Sequence, residues 1–339
     1  MQNRYPRNVL RSQMKITIKS DAMVPILKPG QVQEKYGKLF CQGFFTMVDE
    51  DNGVAQIVEK CISRGPVEWD IVNRKRAGGV LKDIRSDGVT IIMDTVIGEA
   101  PLNFGAVSAD LGGQGISSLT VNGDRVHTKW KGLAGASVGI GACIPQCTDI
   151  IETIYPDDFK LGGAHCAEVE IITPKMVRVI IGVDDTDTKE KGASWVTTMK
   201  MGRECPVGRY LDHKIIQLNP KVPNKTTNCC STAVSFAVRP DDVPALTDFA
   251  KRYIADNTYS DETVMTVFRG LRIPAKLEEF GWNAKHIILD IDDALKTAKE
   301  CNVDVVNITG SKGTIGAVAA IGCFDMGIKA AGLPEDFSR

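Results

Sequence analysis

Three aspartates fall within four positions of "VIIGVDDTDTKEKGASW", residues 179–195: Asp184, Asp185 and Asp187, after a β-branched run that ends in a glycine. Two carboxylates about 4 Å apart repel by roughly 4 kcal/mol at an effective dielectric near 20. Strand ends in α/β folds open into the crevice where ligands bind. A divalent cation relieves the repulsion there, and Mg²⁺ favours one or two carboxylates plus water and phosphate oxygens. The competing chemistry is a solvated turn whose aspartates cap the helix that follows.

Two further loops bear on that choice. "NPKVPNKTTN" (219–228) sets Lys221 and Lys225 beside Thr226, Thr227 and Asn228 in a segment stiffened by two prolines. "GSKGTIG" (310–316) puts Gly310, Ser311, Lys312 and Gly313 directly before an expected helix, with Gly316 inside it. Backbone N–H groups and the helix dipole favour an anion at such a place, and Lys312 adds charge. Either loop alone also reads as an ordinary turn with solvated lysines. Together with the aspartates they describe a nucleotide–Mg²⁺ site suited to phosphoryl transfer.

The elements that must position these residues follow from patterning. The chain has 339 residues, 43% of them apolar and 24% charged, which predicts two domains with ordinary cores. We place them at 1–165, β-rich, and 166–339, with strands and helices alternating. The fold class is α/β, with α+β as the alternative. In the first part "LFCQGFFTMV", "GVAQIVEKC", "EWDIVNRK" and "GVTIIMDTVI" read as strands. In the second, "EVEIITP", "VRVIIGV", "HKIIQLN", "STAVSFAV" and "VDVVNITG" read as strands, and "ASWVTTMKMGREC", "PDDVPALTDFAKRYIADN", "DIDDALKTAKECN" and "TIGAVAAIGCFDMG" as helices. "KGLAGASVGIG" (131–141) echoes "KGTIGAVAAIG" (312–322), each starting at an expected loop-to-helix turn, so the first domain is a candidate degenerate copy of the second.

Composition excludes some functions. The net charge of −1 carries no basic excess of the kind general nucleic-acid binders show. No apolar run approaches a membrane span, and the basic N-terminus, "MQNRYPRNVLRSQMKITIKSD", lacks the apolar stretch of a secretory signal. Ten cysteines without such a signal point to a reducing cytoplasm. Cys143 and Cys147, with His165 and Cys166, offer either metal ligands or buried thiols. Cys229 and Cys230 read as packing or as a redox pair, and His213 as a structural histidine or a proton carrier. Trp130 between Lys129 and Lys131 reads as a base-stacking platform or a solvated β-edge.

"IGVDDTDT", "QLNPKVPNKTTN…AVSF" and "GTIGAVAAIG", in that order, resemble the kinase-like and ferredoxin-like regions of archaeal agmatidine synthetase (tRNA(Ile) agmatinylcytidine synthetase) over residues 176–330. That enzyme uses ATP to activate a cytidine of isoleucine tRNA for amine attack. The whole chain, including "GASWVTTMK" and "YLDHKIIQLNPKVPNKTTNCCSTAVSFAV", is similar to the methanogenesis marker protein 11 family. The resemblance implies a metal and nucleotide role for Asp184, Asp185 and Asp187, and matches Lys225, Gly313 and Gly316 to the synthetase's lysine and glycine positions. It implies ATP and Mg²⁺ as cofactors. Trp195 stands where the synthetase has its phosphoryl-accepting threonine, with Ser194, Thr197 and Thr198 nearby. The chain ends at Arg339 without the synthetase's OB-fold and zinc-ribbon regions, so RNA is disfavoured as partner. The expected function is ATP–Mg²⁺-dependent phosphoryl transfer or substrate activation in methanogen physiology. The alternatives are an assembly factor for an enzyme such as methyl-coenzyme M reductase, and an RNA-modifying enzyme.

Overall fold

The computed structural model describes residues 25–105, 108–223, 225–335 and 337. The basic N-terminal stretch and Asn224 of the lysine loop lie outside the described residues. Eleven strands carry the architecture: β1 (Cys41–Asp49), β2 (Val54–Cys61), β3 (Leu81–Asp87), β4 (Thr90–Val96), β5 (Gly113–Asn122), β6 (Arg125–Leu133), β7 (Cys166–Asp184), β8 (Arg209–Gln217), β9 (Cys230–Val238), β10 (Val264–Arg269) and β11 (Val303–Asn307). Among the described residues they form, with three shorter strands, one fourteen-stranded sheet, so the fold is mixed α/β around a large sheet. The helices used below are α1 (Arg64–Ala77), α2 (Ser194–Glu204), α3 (Val243–Asn257), α4 (Ala275–Asn283), α5 (Ile291–Glu300) and α6 (Thr314–Gly322).

β7 is the spine. The sequence predicts two strands, "EVEIITP" and "VRVIIGV", but the chain runs through Pro174 as a single strand of 19 residues. Residues 166–174 pair antiparallel with β6, residues 177–183 with β9 on one side and residues 179–184 with β10 on the other. Lys175 and Met176, at the handover, touch β1 in parallel. Pro174 is tolerated because it sits where one set of partners ends and the next begins, so its missing N–H leaves no central ladder bond unmade.

Side-chain alternation along β7 assigns its two faces. Val177, Val179, Ile181 and Val183 join a core with Met201 of α2 and Leu246, Ala250 and Ile254 of α3. Ile180 faces the other way, into a core with Leu277 and Phe280 of α4, Ala294 and Ala298 of α5, and Val318–Ile321 of α6. A separate core gathers Phe44, Ile57, Val67, Ile91, Ile116 and Trp130 with Val169 and Ile171.

The expected strand "EWDIVNRK" is instead part of α1. Its buried positions are Val67, Asn73, Arg74 and Ala77, and the polar Asn73 and charged Arg74 hide the stripe from an apolar-pattern reading. Arg74 is buried because Glu59 of β2 meets it at 2.5 Å and Asp70 at 3.2 Å. Lys131 and Gly132 lie inside β6 rather than at a loop-to-helix turn, and helix begins only at Ala136. Trp130 is fully buried, donates Nε1 to Thr128 Oγ1 at 2.9 Å and packs edge-on against Phe44, so it is no base platform.

Candidate nucleotide site

The site sits at the C-terminal end of β7, where alternation puts Ile180, Gly182 and Asp184 on the face that meets α6. Gly182 is required there: a Cβ would overlap the Ala317 carbonyl, so only glycine lets α6 lie against the strand. Thr266 of β10 fixes the approach by donating Oγ1 to the same Ala317 carbonyl at 2.8 Å. One position earlier in α6, a Cβ on Gly316 would overlap the Asp184 carboxylate. Two glycines therefore seat the helix and make room for the acid.

Beyond Asp184 the backbone turns sharply. Asp185 adopts a left-handed conformation, φ 55°, and its carbonyl accepts Thr263 Oγ1 at 2.6 Å. Aspartate tolerates that region better than bulky residues. Asp187 has both carboxylate oxygens engaged: Oδ1 accepts Ser194 Oγ at 2.9 Å and Oδ2 accepts Thr226 Oγ1 at 3.2 Å. Ser194, the first residue of α2, is also hydrogen-bonded by the Thr186 backbone N–H and hydroxyl. The acidic loop is thus tied to α2 and to the lysine loop by two hydroxyls.

Burial pushes the Asp184 carboxyl well above the ordinary carboxylate range, and Asp185 and Asp187 add to the shift by repulsion. The Asp185 carboxyl is raised to about 6, by desolvation first and then by Asp187 and Glu262, with Lys312 opposing. Surplus negative charge in partial burial is the condition that a bound cation or a donor-rich ligand relieves.

A cavity of about 330 Å³ opens over these groups. Asp184, Asp185, Asp187, Lys225, Thr226, Lys312 and Gly316 line it, together with a fourth acid, Asp290, and the apolar side chains of Leu218, Val222, Pro223, Ile287–Leu289 and Ile291. Seven sequence-predicted residues therefore meet in one place. Asn228, Gly310, Ser311 and Gly313 do not line it. Lys225 Nζ is turned onto the Pro220 carbonyl, and Asn228 is exposed with its carbonyl accepting Gln217 Nε2 at 2.9 Å.

The glycine loop corrects one expectation. Its backbone donors are not free for an anion: Ser311 and Lys312 N–H both donate to Glu262 Oε2, and Gly313 N–H donates to the Glu262 carbonyl.

Sequence reasoning missed Glu262 and the apolar wall. Ile287 and Ile288 are 53% and 63% exposed, and "KHIILD" has no periodicity that marks it as a lining. That wall is held by Lys285, fully buried, whose Nζ donates to the carbonyls of Gln217 (2.8 Å), Ala330 (2.7 Å) and Gly332 (2.9 Å). Desolvation lowers its pKa. Cys229 and Cys230 also line the cavity, and burial raises both thiols. His213 is outside it, with Nε2 at 2.8 Å from Thr232 Oγ1. Among the described residues no group of three or more His, Cys, Asp or Glu side chains is arranged to hold a metal ion. Nor is any helix among them long and apolar enough to cross a membrane.

Residues 180–310, which carry this site apart from its last loop, match the TiaS TCKD domain family. The isoleucine-tRNA 2-agmatinylcytidine synthetase TiaS of Thermococcus sibiricus is 33% identical over 152 residues, 43% of this chain and 35% of that protein. Its counterpart in Archaeoglobus fulgidus is 31% identical over 171 residues, 48% of this chain and 40% of that one. A crystal structure of TiaS in complex with its isoleucine tRNA and ATP superposes with a TM-score of 0.39 and 27% identity, covering 43% of this chain and 36% of that chain. The chain spans little more than a third of the length of these synthetases. With the uncharacterized protein MJ0921 of Methanocaldococcus jannaschii it shares 38% identity over 294 residues, 86% of this chain and 96% of that protein. The chain belongs to the MJ0921 family.

Proposed function

We propose that the protein uses ATP to activate an acceptor by phosphoryl transfer, with the nucleotide in the cavity at the end of β7. The observation that carries this reading is that one cavity is lined by three neighbouring aspartates, two lysines and a set of large apolar side chains. The apolar side chains of Leu218, Val222, Pro223, Ile287, Ile288 and Leu289 suit a flat base, and the lysines suit a phosphate chain. Lys225 and Lys312 would neutralise phosphate charge, which is most of what an enzyme contributes to such a transfer. Asp184 and Asp185 are the residues that would hold Mg²⁺, which when bound offsets both their repulsion and the charge of the phosphates. Asp187 keeps Ser194 and Thr226 in place around them.

RNA as the acceptor is the reading the relatives support, against the expectation from charge balance, since the TiaS proteins are tRNA-modifying by name. We infer further, from "GASWVTTMK" and the long segment 210–238, that the family is that of methanogenesis marker protein 11.

ATP with Mg²⁺ should raise the melting temperature, because a ligand at a hundredfold excess over its Kd adds about 2.7 kcal/mol to the native state. ATP consumption should rise on adding archaeal tRNA. Flat melting curves across ATP, GTP, CTP and UTP would remove the nucleotide reading. ATP turnover indifferent to tRNA would remove the RNA acceptor and leave phosphoryl transfer standing.

A further inference from the structure

The loop with phosphate-binding features is filled by a carboxylate of the chain itself. Glu262, two residues before β10, places Oε2 at 3.2 Å from the Ser311 N–H nitrogen and 3.3 Å from that of Lys312, while Oε1 receives Lys312 Nζ at 2.5 Å. Two backbone N–H groups in the turn just before a helix, plus a lysine, are donors of the kind that such loops direct at phosphate oxygens.

The loop is shaped around its occupant. A Cβ on Gly310 would collide with the Glu262 carboxylate and with the Asp261 carbonyl, so glycine is what allows the two segments to close. The Glu262 backbone cannot drift away: its carbonyl accepts the Gly313 N–H at 3.1 Å, and the next residue, Thr263, donates its N–H to Thr309 Oγ1 at 2.9 Å. The side chain can. It is 27% exposed, against 58% for Lys312, and a swing about its own torsions returns the carboxylate to water. Lys312 lines the cavity, and Glu262, just outside the lining, holds that lysine and is close enough to repel Asp185, so a polyanion that takes Lys312 competes with this carboxylate.

We infer that Glu262 is a specificity-determining residue, a built-in occupant of the Ser311–Lys312 donors that a polyphosphate must displace. A carboxylate brings one negative charge and two oxygens to these donors. A polyphosphate chain brings several of each and, unlike the carboxylate, reaches Lys225 at the same time. A ligand without that chain leaves Glu262 in place and meets the cavity's own carboxylates, Asp184, Asp185, Asp187 and Asp290. The identity of the ligand as a nucleotide rests on the proposed function; the polyphosphate class does not.

Titration calorimetry on the full chain separates the two. The wild type, Glu262→Gln and Glu262→Ala are each titrated with ATP, adenosine and inorganic tripolyphosphate at fixed Mg²⁺. Both variants should bind ATP and tripolyphosphate at least tenfold more tightly than the wild type and bind adenosine within twofold of it. Unchanged or weaker polyphosphate binding in both variants overturns the inference and makes Glu262 a holder of Lys312. An equal gain for adenosine overturns it as well. If tripolyphosphate responds as expected while ATP binds no better than it, the inference survives and the nucleotide reading fails. No binding of any probe to any variant removes both.

Discussion

Two clusters of buried charge, one in each half of the chain, meet the same problem with different amounts of compensation. Beside α1, Glu59 and Asp70 share the guanidinium of Arg74, and Gln114 completes the set by donating to Asp70 and accepting from Arg74. At the end of β7, Asp184, Asp185 and Asp187 crowd together with hydroxyl partners for Asp187 and a nearby cation, Lys312, which Glu262 already holds. Both clusters border a cavity and hold more acids than cations. The first has a buried guanidinium between its two acids, whereas the second gathers three aspartates beside a lysine already engaged by Glu262, and that larger surplus marks it as the candidate site. The contrast is one of degree, since Asp70 is also raised to about 6, by burial, with Arg74 opposing and Glu59 adding to it.

The largest effect that tests the comparison is on stability. Arg74→Met leaves Glu59 and Asp70 buried without their cation, and should cost about 3–5 kcal/mol in denaturant melts. If the variant still folds, its ATP-induced stabilisation should match that of the wild type. A loss below about 1 kcal/mol would mean that the first cluster is no scaffold.

Gly316→Ala comes next. The added Cβ meets the Asp184 carboxylate, and relief requires α6 or the acid to move, at about 1–3 kcal/mol. Asp184→Ala vacates that space, so the double variant should be more stable than the sum of the single effects allows, with a coupling of at least about 0.5 kcal/mol. Additive losses would show that the helix and the acid do not constrain one another.

How much of this was legible in sequence depends on whether the cause was local. The strand leading to Asp184, the lysine loop and α6 were readable because β-branched runs, prolines and a glycine–alanine stretch announce themselves within a short window. Arg74 defeated the reading of α1 because its burial depends on Glu59, 15 residues earlier on another element. Glu262 was invisible for the same reason: nothing in "SDETVM" says that its carboxylate will meet a loop 49 residues on. Val264–Arg269 and Ala275–Asn283 also went unassigned; "VMTVFR" is short, and α4 follows Pro274 with only Leu277, Phe280 and Gly281 buried. Lys285 inverts the usual rule by burying a charge-bearing side chain, and only the three carbonyls that converge on it explain why.

Asp184→Asn tests the second cluster directly. Burial and two like charges disfavour the ionised acid, so a neutral amide of the same shape should leave the apo protein as stable as before or slightly more so. The same change should abolish the stabilisation by ATP–Mg²⁺, about 2.7 kcal/mol at a hundredfold excess over Kd in the wild type, because an amide is a poor substitute for a carboxylate at a hard cation. A large fall in apo stability with the ligand shift intact would make Asp184 scaffolding.

The smallest effect is a pH slope, and its sign is the informative part. Asp185 is raised in the folded chain from 3.8 to about 6, so between those values the native state holds a proton that the unfolded chain has released. Stability therefore falls as pH rises through this window, and the penalty is complete above about pH 6. It amounts to about 1–2 kcal/mol once solvent screening of a partly exposed group is allowed for. Asp70 contributes a slope of the same sign from the first half, which is why the comparison needs variants rather than a single curve. Asp185→Asn should remove its share of the loss between about pH 4 and pH 7, and saturating ATP–Mg²⁺ should remove the same share in the wild type by compensating the charge. If Asp185→Asn leaves the slope untouched while Asp70→Asn flattens it entirely, the uncompensated charge lies in the first cluster and the comparison is inverted.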